Sequence, residues 1–237
     1  MKEQELWPGG VRLREAEGVF PLGTDAVLLS HFAGISGVKK ILDLGCGSGV
    51  IPLLLCARAK DASAAGLELD GTSAENAREN VRLNGMQERI TILQADLRQY
   101  RTLGHAGEFD LVTANPPYYP VASGYSARGA ASGARQEHTC TLEELCAAAA
   151  WFTRWGGRFA LVHKPERLSE ILCCLSAKGL EPKRLRTVQK RGDSAPSLVL
   201  IEARRGAAPG LIWEKPLLMQ EENGGESEEL RAVYHRG

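Results

Sequence analysis

The chain has 237 residues, with 29 Lys+Arg against 29 Asp+Glu, so its net charge is zero. That length suits one large domain with appendages, and neutrality excludes a globally basic nucleic-acid coat while leaving room for a local patch. No run approaches the ~18 consecutive apolar residues of a membrane span, and the start, MKEQELWPGG, lacks a signal-peptide core, so a cytoplasmic protein is expected. Cys46, Cys56, Cys140, Cys146, Cys173 and Cys174 form no C-x-x-C pair. They read as reduced, core-packed thiols with no metal site, the vicinal Cys173–Cys174 pair included.

Residues 1–23 are expected to form a hairpin or lid, with short strands at Val11–Arg14 and Gly18–Phe20. Thr24 or Asp25 would cap a helix through Ala33. Lys40–Leu44 is an apolar strand that runs into Gly45-Cys46-Gly47-Ser48-Gly49 and then a helix over 50–59. This strand, Gly-rich turn and helix make the first half of a Rossmann-like unit. Ala64–Leu69 is the second strand, and Thr72 with Glu75 suggests a capping box for a helix through Leu83. Ile90–Asp96 is the third strand. Phe109–Ala114 is the fourth and stops at Asn115-Pro116-Pro117-Tyr118. Residues 119–139 are rich in Gly, Ser and Ala and carry Arg128, Arg135 and His138. A loop of that length is usually functional or disordered. Thr141 caps the next helix, which Gly156–Gly157 would break before a strand at Arg158–Val162. An amphipathic helix over Glu166–Lys178 precedes an antiparallel hairpin of Arg184–Val188 and Ser197–Glu202. From residue 206 the tail is polar and acidic, and is expected to be loose except where Leu217–Leu218 or Val233–Tyr234 dock. The domain unit is therefore read as 24–205. The implied fold is α/β, a seven-stranded, mostly parallel sheet with an antiparallel last strand and helices on both faces.

Three successive strand ends carry a Gly-rich turn or an acid. Glycines permit a turn with φ > 0 and close approach of a ligand to the backbone. Val50 stands where the dinucleotide fingerprint G-x-G-x-x-G needs its third glycine, which disfavours an NAD-dependent oxidoreductase. Glu68 suits two ribose hydroxyls, and Asp96 suits an adenine amino group. Together they outline a nucleoside-bearing cofactor. Asn115 sits in a stiff extended loop where open α/β sheets place ligands.

Asp43-x-Gly45-x-Gly47-x-Gly49 resembles motif I of class I S-adenosylmethionine-dependent methyltransferases. Asn115-Pro116-Pro117-Tyr118 resembles motif IV of those that methylate planar amines. The resemblance implies that the Asn115 side-chain oxygen and the Pro116 carbonyl accept the amine N–H bonds while Tyr118, beside Pro117, stacks on the planar group. No metal and no covalent enzyme intermediate are needed. The order of Phe20-x-x-Gly23-Thr24-Asp25, Asn76-x-x-x-Asn80-x-x-x-Asn84, Ala134-Arg135-x-Glu137, Pro165-Glu166-Arg167-Leu168 and Glu181-Pro182-Lys183-Arg184-Leu185-Arg186 narrows it further. The series, over roughly residues 18–205, resembles the bacterial tRNA1(Val) adenine-37 N6-methyltransferase family. That resemblance implies S-adenosylmethionine as cofactor, Thr24 and Asp25 near its methionine end, and tRNA as partner. It also implies that Arg135 and Glu137 order a loop over the target. Lys183, Arg184 and Arg186, with Lys190 and Arg191, make a local basic cluster that suits phosphates. Arg12, Arg14 and Arg128 are candidates to join it. Alternative acceptors are a guanine amine of rRNA, a DNA adenine or a protein glutamine amide. Amide-modifying relatives carry a separate N-terminal helical domain, for which the stretch before Gly23 leaves no room. A non-catalytic nucleotide-binding module would be expected to lose Asn115 or Tyr118.

Overall fold

The computed structural model describes residues 2–15, 22–117 and 140–235. Tyr118, Arg128, Arg135, Glu137, His138 and the strand expected at 18–20 lie outside the described residues. The chain begins with β1 (Lys2–Glu5) and β2 (Arg12–Glu15), paired antiparallel. The partner of the strand expected at 11–14 is thus the chain start. There follow α1 (Thr24–Phe32), β3 (Lys40–Leu44), α2 (Val50–Arg58), β4 (Ser63–Glu68), α3 (Gly71–Leu83), β5 (Ile90–Gln94), α4 (Tyr100–Leu103) and β6 (Phe109–Ala114). Then come α5 (Leu142–Phe152), β7 (Thr153–His163), α6 (Leu168–Ala177), β8 (Leu180–Gln189), β9 (Pro196–Arg205), β10 (Ile212–Trp213), β11 (Leu217–Leu218) and α7 (Glu228–Val233).

Among the described residues the main sheet has nine strands, in the order β10-β8-β9-β7-β6-β3-β4-β5, with β11 also on β8. β3 to β7 pair parallel, and β9 runs antiparallel between β7 and β8. The seven long strands are those expected. The two short ones come from the tail, which is more ordered than its composition suggests. Neighbouring strand residues feed opposite faces, as a pleated sheet requires. Ile41, Leu111, Ala160 and Val162 pack with α1, α2 and α3. Leu42, Val112, Phe159 and Leu161 pack with α5 and α6. Both faces are buried, which explains the continuous apolar runs of the central strands.

Several local expectations change. Gly23, not Thr24 or Asp25, is the N-cap of α1. A Cβ at Gly23 would lie 2.1 Å from Asp25 Oδ1, so the Asp25 carboxylate occupies that space. Asp70 caps α3 by accepting from Ser73 N. The glutamate of the expected capping box, Glu75, instead pairs with Arg78 and Arg82. Asp96 does not extend β5 but caps a short 3-10 turn. Thr141 caps α5 as expected, and Glu144 completes a capping box with it. Gly156–Gly157 does not separate helix from strand, because β7 already starts at Thr153 and is irregular there. The helix expected over 166–178 is a 3-10 turn at Pro165–Arg167 followed by α6. Cys46, Cys56 and Cys146 are buried, but Cys173 is exposed, because Ile171 and Leu175 form the buried stripe of α6. Among the described residues no helix is long and apolar enough to cross a membrane.

Candidate active site

The carboxyl ends of β3, β4, β5 and β6 converge on the predicted residues. β3 delivers Asp43 and then the Gly-rich turn. Gly45, Gly47 and Gly49 have φ of 74°, 54° and 81°, the left-handed region that glycine enters without steric cost. Gly45 N and Cys46 N both donate to Leu67 O, at 2.8 and 2.9 Å, folding the turn over β4. Among the described residues a Cβ at Gly45 or Gly47 would meet nothing within 4 Å, so no described atom crowds this backbone. At Gly49 a Cβ would touch Ala77 Cβ at 3.2 Å, so that glycine serves packing against α3.

Asp43 is fully buried. Its Oδ1 accepts from Thr113 Oγ1 at 2.7 Å, whereas Oδ2 has no partner among the described residues. Burial pushes its pKa up to about 7; the Thr113 hydroxyl opposes the rise and the Glu68 charge adds to it. An unpartnered buried carboxylate oxygen calls for a cation or a donor. Glu68 ends β4. Its Oε2 accepts from Gly47 N at 2.8 Å and its Oε1 from Asp70 N at 2.9 Å. Each oxygen keeps accepting capacity for a hydroxyl. Leu69 follows it and is 38% exposed, an apolar surface beside the acid that the sequence reading passed over. Asp96 is held by Arg98 through its backbone N–H and a two-pronged guanidinium contact. The residues present therefore fit a ligand bearing a cationic group, ribose hydroxyls and a planar base, the features of S-adenosylmethionine. α1, which starts at Thr24 and Asp25, packs on α2, the helix that the Gly-rich turn feeds.

β6 lies beside β3 in parallel register, with Asp43 opposite Thr113 and Leu44 opposite Ala114. Asn115, the next residue, therefore leaves the sheet just past this last pair, on the strand beside the one that delivers the Gly-rich turn. Asn115 and Pro116 are half-buried and Pro117 is exposed. On the other side of β6, the pair Ala114–Leu161 carries the register on to His163, level with Pro116. His163 is buried, and its Nδ1 accepts from Lys164 N at 2.8 Å. Burial, with Arg167 nearby, lowers its pKa to about 4 and keeps it neutral. Sequence reasoning missed His163, because an apolar strand gives no sign of which end residue is polar for a reason.

The basic cluster divides in two. Arg184 contacts Glu214 at 2.6 Å and Glu202 at 3.3 Å, and stacks over Phe32. Arg186 grips Glu229 with two hydrogen bonds of 2.6 and 2.7 Å. Lys183 Nζ donates to Ala208 O at 3.0 Å. These groups bind the tail to β8. Lys190 and Arg191 instead follow the carboxyl end of β8, on the same sheet edge as Asn115. Lys164 follows the carboxyl end of β7 there. The Arg191 guanidinium pairs with Asp193 at 3.3 Å, with half of its side chain exposed. Among the described residues no cluster of His, Cys, Asp or Glu could hold a metal ion.

This strand order and Gly-rich turn are those of a methyltransferase. The family model "Methyltransferase small domain" matches residues 11–172, and the chain belongs to that family. Solved structures agree on the fold. A predicted O-methyltransferase from Agrobacterium tumefaciens superposes with a TM-score of 0.75 at 21% identity, covering 90% of this chain and 97% of that one. Geranyl diphosphate C-methyltransferase from Streptomyces coelicolor, solved with S-adenosyl-L-homocysteine, gives 0.52 at 14% identity, covering 70% and 72%. Within the family the chain belongs with the tRNA1(Val) (adenine(37)-N6)-methyltransferases. The protein of that name from Tolumonas auensis is 30% identical, over 90% of this chain and 87% of its own. The one from Aeromonas hydrophila is 33% identical, over 78% and 77%.

Proposed function

We propose that this protein transfers the methyl group of S-adenosylmethionine to the N6 amine of an adenine in tRNA, in the cytoplasm. The observation that supports the reading is the parallel register of β3 and β6, whose last pair, Leu44 and Ala114, directly precedes the Gly-rich turn and Asn115. The cofactor supplies an electrophilic sulfonium methyl. Asp43 is the residue for its ammonium group, Glu68 for the ribose and Asp96 for the adenine. The adenine N6 lone pair is delocalised, so the amine is a weak nucleophile. Asn115 Oδ1 and the Pro116 carbonyl accept its N–H bonds and turn the lone pair out of the ring plane. The N–C bond forms as the S–C bond breaks, and the amine proton leaves to solvent. Positioning and fixed dipoles supply the rate. Tyr118 stacks on the base, worth about 1–3 kcal/mol.

The catalytic unit is read as residues 24–205, with 1–23 ahead of it and 206–237 as a tail. Lys164, Lys190 and Arg191 are the best-placed cations for RNA phosphate, since they leave the sheet on the edge that carries Asn115. The test is labelled-methyl transfer to tRNA, rRNA and protein from cells lacking the enzyme, followed by nucleoside mass spectrometry. N6-methyladenosine in tRNA is expected. Label in guanine or in glutamine would overturn the assignment. Asn115→Ala should abolish transfer and leave the cofactor Kd within about twofold, because its oxygen serves the amine rather than the cofactor.

A further inference from the structure

The Asn76-x-x-x-Asn80-x-x-x-Asn84 series lies along one face of α3, since residues four apart share a face of a helix. These asparagines act as a surrogate strand for the open edge of β2. Asn84 Oδ1 accepts from Arg12 N at 2.9 Å, and its Nδ2 donates to Arg12 O at 2.7 Å. Asn80 Oδ1 accepts from Arg14 N at 2.7 Å. Asn76 Nδ2 donates to Arg14 O at 2.9 Å. The backbone polar groups of Arg12 and Arg14 are thus satisfied by amide side chains instead of by another strand. Val11 and Leu13, which alternate with them along the chain, are buried in the core shared with α1, α2 and α3.

Asn80 differs from the other two. It is fully buried, and its Nδ2 donates to Ser48 O at 3.0 Å, inside the Gly-rich turn. One side chain therefore holds β2 with its oxygen and the cofactor turn with its nitrogen. We propose that Asn80 is a positioning residue that makes the β1–β2 hairpin part of the cofactor-binding unit. Fixing the Ser48 carbonyl restricts the glycines on either side, whose freedom would otherwise be lost on binding. The coupling is reciprocal: a ligand that orders the turn also holds the hairpin. This rests on methyl-donor binding at the turn and not on which amine is methylated.

The test compares Asn80→Ala with Asn84→Ala. Both remove bonds to β2, but only the first releases Ser48 O. By calorimetry with S-adenosylhomocysteine, Asn80→Ala should raise Kd about tenfold and Asn84→Ala less than about threefold. kcat at saturating cofactor should be retained in both variants. Equal Kd changes in two folded variants, or none, would overturn the proposal. NMR-detected amide exchange of the unmodified protein needs no variant. Saturating S-adenosylhomocysteine should slow exchange at Arg14 N more than at Glu214 N, which bonds to Leu185 O at the far edge of the sheet. Equal slowing at both sites would mean only global stabilisation and would refute the coupling.

Discussion

Replacing Asp43 with Asn should stabilise the cofactor-free protein while weakening its cofactor affinity. The carboxyl is fully buried, one oxygen has no partner among the described residues, and its pKa is pushed from 3.8 up to about 7. The folded state therefore keeps a proton that the unfolded chain gives up near pH 4. Between those values the folded state binds more protons, so this group's contribution to stability falls as pH rises from 4 to 7 and is level above. The full difference is about 4 kcal/mol, at 1.36 kcal/mol per pH unit. An amide in the same place removes the titration and itself costs about 1–3 kcal/mol if an N–H is left unpaired. The net expectation at pH 8 is a gain of roughly 1–3 kcal/mol over the wild type, as follows from those two figures. Urea unfolding at pH 5, 6, 7 and 8 measures it. Carboxylates held low, such as Glu170 by Arg167 and Asp110 by the Lys39 and Lys40 amides, titrate alike in both proteins and cancel in the difference. The advantage of Asp43→Asn should grow with pH up to about 7 and then stop. Parallel stability curves would refute the buried, uncompensated carboxyl.

Glu68→Ala removes two charge-assisted acceptors and should raise the cofactor Kd about 10- to 100-fold; an unchanged Kd by calorimetry would refute the ribose assignment. Lys190→Gln with Arg191→Gln should weaken tRNA binding and reduce the salt slope of log K by about 1.5, with Tm unchanged. Arg186→Gln should do the reverse, lowering Tm by releasing Glu229 and the tail while sparing tRNA affinity. If Arg186→Gln costs as much tRNA affinity as the Lys190→Gln, Arg191→Gln double variant, the division of the basic cluster is wrong.

The central elements follow from the residues alone. Residues 41–44 and 111–114 are buried on both faces, so apolar residues fall at adjacent rather than alternating positions there. Gly45, Gly47 and Gly49 announce a turn, because few other residues enter the left-handed region at that spacing. The Asp70 cap was not legible, since Asp70 and Thr72 are both good caps, and the choice depends on where β4 releases the chain.

Position in the sequence decided that acids and an Asn-Pro-Pro turn stand at successive strand ends. It left open which strands are neighbours. Only the order β6-β3-β4 puts the strand that leads to Asn115 beside the one that leads to the Gly-rich turn and buries Asp43, and that burial raises its pKa. Arg184 and Arg186 in the sequence are simply charges. The tail, more than 25 residues away in the chain, supplies Glu214 and Glu229 as their partners and turns them into structure. Local patterns encode a residue's own backbone preference and burial, whereas the partner of a side chain is set by long-range packing, which no short window of sequence contains.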